Sequence, residues 1–242
     1  MIQLSNDCRL NVRSISRAKM PKEFTIRTFS NNEALVKERR DHIVRYSTKV
    51  FTKKGYDRTN MRELAKACEM SAGALYHYFG SKEEILYSII NSATSQQAGS
   101  MEDCANELAT RGSTIALVEL MRKFYKWHDD NQDITLFAYQ ETKNLPGNAQ
   151  QSIFDSEARI LTVFEKLLIR GMKEGEFNID DPKLIAHDIV VLGHAWALRR
   201  WHLRKHWTFK TYVKEQTDAM LRSIMVDKET GITNRQGKES SK

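Results

Sequence analysis

Cysteine is scarce in this chain of 242 residues: Cys8, Cys68 and Cys104 are odd in number, widely separated, and form no C-x-x-C pair. That pattern excludes a disulfide framework and offers no zinc site, so the thiols read as reduced and the expected compartment is the cytoplasm. Long apolar runs are missing as well. Nothing approaches the ~20 apolar residues that span a bilayer, and the first residues lack the apolar core of a secretory signal, so no membrane partner is expected. No segment sustains the alternation of a β-strand, which leaves an all-α fold. Signatures of catalysis are weak. His202 and His206 have the i, i+4 spacing of a helical metal pair, but no carboxylate lies between them and their neighbours are basic. His187, Asp188 and His194 offer acid–base groups, yet single histidines on amphipathic helices read more readily as structural. No enzyme activity, metal or cofactor is expected.

What the chain does have is positive charge. Thirty-eight Lys and Arg against thirty-one Asp and Glu leave +7, with a pI near 9.2. A surplus of this size also serves solubility alone, but it favours a polyanionic partner. Its placement adds more: Arg9, Arg13, Arg17, Lys19, Lys22 and Arg27 face only Asp7 and Glu23 within the first thirty residues. Residues 1–31 lack periodicity and read as a mobile basic arm. Two readings of it stay open: an inert tail, including the case in which Met20 is the true initiator, and an arm that touches DNA backbone or minor groove. Residues 227–242 read as a polar tail.

The most informative stretch is residues 59–86, which holds three helix starts. Thr59, Ser71 and Ser81 each place a hydroxyl ahead of residues at helical spacing, and Ser81 with Glu84 has the pattern of a capping box. Leu64, Ala65 and the turn at 68–70 supply apolar atoms between two short helices, the arrangement of a DNA-binding helix-turn-helix. A preceding helix begins near residue 32, carries Ile43, Tyr46, Val50 and Phe51, and ends at Gly55. In the second short helix Ser71, Ala72 and Gly73 form the first turn, where a helix end in the major groove meets base edges; Ser71 serves equally as a cap alone. Gly73 leaves that surface bare. Tyr76 and His77 follow with groups able to reach phosphate, while Leu75 and Phe79 read as core. Lys82, in the first turn of the next helix, adds a cation where free N–H groups already favour an anion, and Thr59 can present its hydroxyl to phosphate. Arg45, Lys49, Lys53, Lys54 and Arg58 read as a solvated face that adds long-range attraction.

With Phe51, Gly55 and Tyr56 ahead of it and Leu75-Tyr76-x-Tyr78-Phe79-x-Ser81-Lys82-Glu83-Glu84 closing it, residues 35–90 resemble the tetracycline-repressor-like (TetR) family of bacterial transcription regulators. Tyr78 is a departure, since the family usually has histidine there. The resemblance implies a three-helix DNA-binding domain, set here at residues 32–81, and a helical ligand-binding and dimerisation domain at 82–226. It also implies a homodimer that binds a double-stranded operator and releases it when a small molecule enters the second domain.

The remaining pattern is helical, with helices expected at about 82 into the nineties, 114–129, 133–144, 149–174, 182–205 and 208–225. Breaks are expected at 95–100, at 111–113, at Pro146-Gly147 and at Gly175, and Asp181-Pro182 starts a helix. Aromatics in this half are ordinary core individually, but as a set Met121, Phe124, Trp127, Phe137, Tyr139, Phe154, Phe164, Met172 and Trp196 suggest an effector cavity, with Phe124, Trp127, Phe137 and Trp196 as its first candidates. Arg199, Arg200 and Arg204 lie near a helix C-terminus, where the macrodipole alone favours cations. The alternative is a basic rim for an anionic head such as that of an acyl-CoA. Ile185, Ile189, Gly193 and Ala197, with Phe209, Val213, Gln216, Met220 and Ile224, make two stripes that suit either a dimer interface or the subunit core. The resulting expectation is a ligand-responsive regulator, most simply a repressor, with a helical interaction module as its competitor.

Overall fold

The computed structural model describes residues 33–226; the arm at 1–31 and the tail at 227–242 lie outside the described residues. Among the described residues ten α-helices follow one another: α1 Glu33–Lys54, α2 Met61–Ala67, α3 Ala72–Tyr78, α4 Lys82–Glu107, α5 Ser113–Asp130, α6 Gln132–Glu141, α7 Gly147–Lys173, α8 Pro182–Leu198, α9 Arg200–Leu203 and α10 Phe209–Ile224. No strand occurs among the described residues, where a single isolated bridge pairs Phe177 with Met225. None of these helices is long and apolar enough to cross a membrane.

Local chemistry accounts for the boundaries. Gly55, at φ +90°, ends α1 in the left-handed region that lacks a Cβ penalty. Asp181 caps α8 through Lys183 and Leu184 N–H groups, with proline at the first turn. Helix α5 has no side-chain cap of its own. Glu176, from the α7–α8 connection, supplies one by accepting from Ser113 N at 3.0 Å, Thr114 N at 2.7 Å and Thr114 Oγ1 at 2.6 Å.

Several sequence expectations change. The break expected at 95–100 is absent, because Thr94, Gln97, Ala98 and Met101 are buried on α4 and packing overrides their weak local signal. The helix expected over 182–205 breaks between Leu198 and Arg200. Asn60, not Thr59, caps α2: its side chain accepts from Glu63 N while the Glu63 carboxylate accepts from Asn60 N. Ser81 does cap α4, but the Glu84 carboxylate turns to Gly80 N at 2.8 Å instead of closing the box on Ser81.

Two hydrophobic cores form, and α4 runs through both. The first holds Ile43, Phe51, Leu64, Leu75 and Phe79 together with Ile85, Leu86, Ile89 and Ile90 of α4, Phe137 of α6 and Ile153 of α7. The second joins the rest of α4 to α5, α7, α8 and α10 around Phe124, Tyr125, Phe164 and Trp196. Most of the two stripes considered for a dimer lies inside this second core, with Ile185, Phe209 and Gln216 half-buried. Ile189 is fully buried, and a Cβ added to Gly193 would sit 2.5 Å from Phe124, so that glycine is there to let α8 approach α5. Val213, Met220 and Ile224 are likewise buried within the subunit.

Candidate functional site

Helices α2 and α3 meet through a Schellman turn. Met70 N donates to Ala65 O at 3.0 Å and Glu69 N to Lys66 O at 3.1 Å, with Glu69 in the left-handed region at φ +56°. Leu75 and Phe79 are fully buried and anchor α3 to α1 and α4. The opposite side of α3 is open: Gly73, Tyr76 and His77 are exposed, and Ala72 is half-buried. The nearest neighbour of a Cβ on Gly73 would be Ser71 Oγ at 4.0 Å, so nothing in the chain crowds this surface. Ser71 caps the helix by accepting from Ala74 N at 3.1 Å. A helix held by two buried residues and presenting glycine, tyrosine and histidine outward is shaped to enter a groove.

Two sequence candidates are placed elsewhere. Thr59 is buried and its hydroxyl donates to Gly55 O at 2.8 Å, so it secures the α1–α2 turn and has no hydroxyl left to offer a phosphate. Lys82 lies half-buried over the Tyr56 ring at 4.0 Å and donates to Tyr56 O at 3.0 Å. The Tyr56 hydroxyl donates to Glu83 at 2.9 Å, and burial first, then this carboxylate, push the phenol pKa up. Lys82 and Glu83 thus tie the start of α4 to the turn beneath the helix-turn-helix. Asn60 is the cap that sequence reasoning missed, although the Asn60–Glu63 spacing carried the signal.

The helical half contains two hollows. An inner cavity of about 340 Å³ lies among α4 to α8 and is lined by Thr94, Gln97, His128, Tyr139, Glu157 and His194 among others. An outer cleft of about 880 Å³ between α4, α5 and α10 has an apolar floor of Met101, Val118 and Val213 beneath Arg122, Lys123, Lys126, Lys210 and Lys214. Gln97 and Trp127 line both.

The inner cavity is polar but uncharged on its α5 and α8 walls. Burial, and then the neighbouring His194, hold the His128 pKa well below its usual value. Burial, followed by His187, brings that of His194 down to about 4. Burial raises the Glu157 carboxyl as well. His128 and Glu157 were not singled out from sequence, and His194 was weighed there as an acid–base group and read as structural; histidines on otherwise apolar helix faces were the available signal.

Of the residues expected at an effector site, Trp127, Tyr139 and Phe154 line the cavities described. Phe124 is buried between them and α8. Phe137 belongs to the first core, stacked on Phe51. Trp196 is buried against Phe209 and Tyr212, and its indole N–H donates to Asp129 at 2.8 Å. Arg199, Arg200 and Arg204 line neither hollow. Arg200 pairs with Asp133 at 3.0 Å, Arg204 with Asp129 at 3.4 Å, and Arg199 lies over the exposed Trp201 ring.

Residues 43–89 match the family described as bacterial regulatory proteins, tetR family, and residues 113–205 match the tetracyclin repressor-like C-terminal domain. The transcriptional regulator HbdR of Aromatoleum sp. (strain CIB) is 27% identical over 196 residues, covering 79% of this chain and 82% of that protein. The transcriptional repressor KstR2 of Rhodococcus jostii is 27% identical over 169 residues, covering 68% and 79%. The structure of AibR in complex with isovaleryl coenzyme A and operator DNA superposes with a TM-score of 0.64 at 18% identity, covering 75% of this chain and 97% of that one. With both halves matched in order and the helix-turn-helix in place, the chain belongs to the tetracycline-repressor family of helix-turn-helix transcriptional regulators.

Proposed function

We propose that this regulator is a repressor that binds a palindromic operator as a homodimer through Gly73, Tyr76 and His77 and is released by a small apolar or amphipathic effector, of which an acyl-CoA is the leading class. Residues 33–81 act as the DNA-binding domain and 82–226 as the effector and dimerisation domain. The observation that carries the reading is the pairing of an open α3 surface with a cavity whose α6 wall also supports the DNA-binding half. Thr135, Ala138 and Tyr139 of α6 line the inner cavity, while Phe137 on the same helix packs against Phe51 of α1. A ligand that displaces α6 therefore biases the position of α1 and α3. Dimer recognition places two heads about 34–36 Å apart or a multiple, so a modest displacement abolishes binding.

The acyl-CoA class is supported by the isovaleryl coenzyme A bound in the AibR structure and by the outer cleft, whose five cations stand beside an apolar floor. Three of them already pair with carboxylates, Arg122 with Glu119, Lys126 with Asp130 and Lys214 with Asp218, which leaves the rim with a net +2. For the dimer, Leu184 and Val191 are exposed at seven-residue spacing on α8 and Leu198 continues the row half-buried.

Selection of bound sequences from a random DNA pool, followed by operator release in an acyl-CoA chain-length series, tests the reading. A palindrome recovered and released by one chain-length window supports it. Absence of sequence preference would favour a helical interaction module instead.

A further inference from the structure

The polar groups of the inner cavity leave two unused valences, an acceptor on Gln97 and a donor on His194, and the donor points to a ligand chemistry. His128 is fully engaged: Nδ1 lies 2.9 Å from Thr135 Oγ1, and Nε2 lies 2.9 Å from the Gln97 amide nitrogen. Thr135 gives its own proton to Asn131 O at 2.9 Å, so it must accept from Nδ1–H, and Nε2 must accept from Gln97. This consistent chain leaves Gln97 with a free carbonyl oxygen. His194 is different. Its Nδ1 lies 2.7 Å from the Tyr139 hydroxyl, and a phenol, the stronger acid of the two, donates to a neutral imidazole. Burial first, then Glu157, push the Tyr139 pKa up to about 12, which keeps that proton on the phenol. The His194 proton must then sit on Nε2, which makes no hydrogen bond among the described residues although the ring is 7% exposed. His194 lines the cavity, and this nitrogen is not sealed in the core, so its N–H is a donor that a ligand acceptor can reach.

We infer that the inner cavity selects an apolar ligand whose polar end is an uncharged carbonyl, a ketone, ester or thioester, that accepts from His194 Nε2–H, and rejects the corresponding carboxylate. The inference rests on the reading of this cavity as the effector site. Glu157 reinforces the selection, since an anionic ligand would face its carboxyl on the same wall, whereas Lys143, the cation that also lines this space, is exposed and keeps its ammonium in solvent. Tyr139 is a positioning residue: by occupying Nδ1 it fixes which ring nitrogen carries the proton. For an acyl-CoA this assigns the thioester to the inner cavity and distinguishes it from the free fatty acid.

The test uses the full chain and three probes of equal size, 2-heptanone, hexanoate and heptylammonium, titrated at neutral pH while the resonances of His194, Thr135 and Tyr139 are followed by NMR. The ketone should bind about tenfold tighter than either ion, the gap expected for one buried hydrogen bond against a desolvated charge. Imidazole nitrogen shifts should show His194 as the Nε2–H tautomer. His194→Phe should erase the preference, and Tyr139→Phe, a change at an exposed ring that keeps the fold, should mix the tautomers and reduce the preference several-fold. Tighter binding of hexanoate or heptylammonium, or an Nδ1–H tautomer in the unaltered protein, would overturn the inference and leave the effector cavity standing. Failure of every probe to shift these resonances would overturn both.

Discussion

Phe137 of α6 stacks on Phe51 of α1 with ring centroids 6.0 Å apart and planes 16° from parallel. This contact joins the wall of the inner cavity to the core beneath the helix-turn-helix, because both rings belong to the first core. Phe137→Ala should lower stability by about 3–5 kcal/mol, the range for deleting a buried phenyl ring. The loss should show as faster amide exchange in α1 and α6, ahead of α8. Unchanged exchange in α1 would mean that the stack transmits nothing.

On the DNA-facing side, Gly73→Leu sets stability against affinity. Its Cβ meets open space, and leucine is a better helix former by roughly 1 kcal/mol, so melting temperature should hold or rise. Operator affinity should fall because the side chain fills the gap between helix and groove. Tyr76→Phe should weaken binding modestly without unfolding, since the ring is 49% exposed. Full affinity for Gly73→Leu in an anisotropy titration would move the recognition surface off α3.

The helix-turn-helix was legible from sequence because its determinants are local: a glycine that ends α1, short cap-to-cap spacings, and Leu75 and Phe79 four residues apart. The errors there were also local, with Asn60 beside Thr59 both able to cap and only tertiary burial of Thr59 deciding between them. The effector region was less legible. Its cavity is assembled from residues distant in sequence, such as Gln97, His128 and His194, and no periodicity reveals which polar residue on an apolar face has a partner. Arg200 and Arg204 looked like a binding rim because their carboxylate partners, Asp133 and Asp129, are some seventy residues away in sequence.

Glu176 predicts a pH effect. Hydrogen bonds from the Thr114 hydroxyl, then from the Thr114 backbone, hold its carboxyl below the usual carboxylate range. A depressed folded pKa means that the stabilisation is complete above the unfolded value, near 4.3, and is lost as pH falls through the folded one. Glu176→Gln should cost about 1 kcal/mol at neutral pH, the worth of a helix cap in a solvent-screened position. It should also flatten the acid limb of stability against pH. An identical acid limb in the variant, followed by circular dichroism, would assign that limb to other groups.

Two substitutions two residues apart on α8 separate core from interface. Gly193→Ala puts a methyl 2.5 Å from the Phe124 ring, in a core with no slack, so it should destabilise the subunit by roughly 1–3 kcal/mol whatever the oligomeric state. Val191→Glu adds a charge to a side chain that is 44% exposed and should leave the isolated subunit folded. If the row of Leu184, Val191 and Leu198 forms the dimer contact, that buried, unpaired charge costs several kcal/mol and yields monomers that keep their helicity. Sedimentation distinguishes the outcomes: monomeric, helical Val191→Glu protein places the interface on this row, and an undisturbed dimer moves it to another face of the bundle.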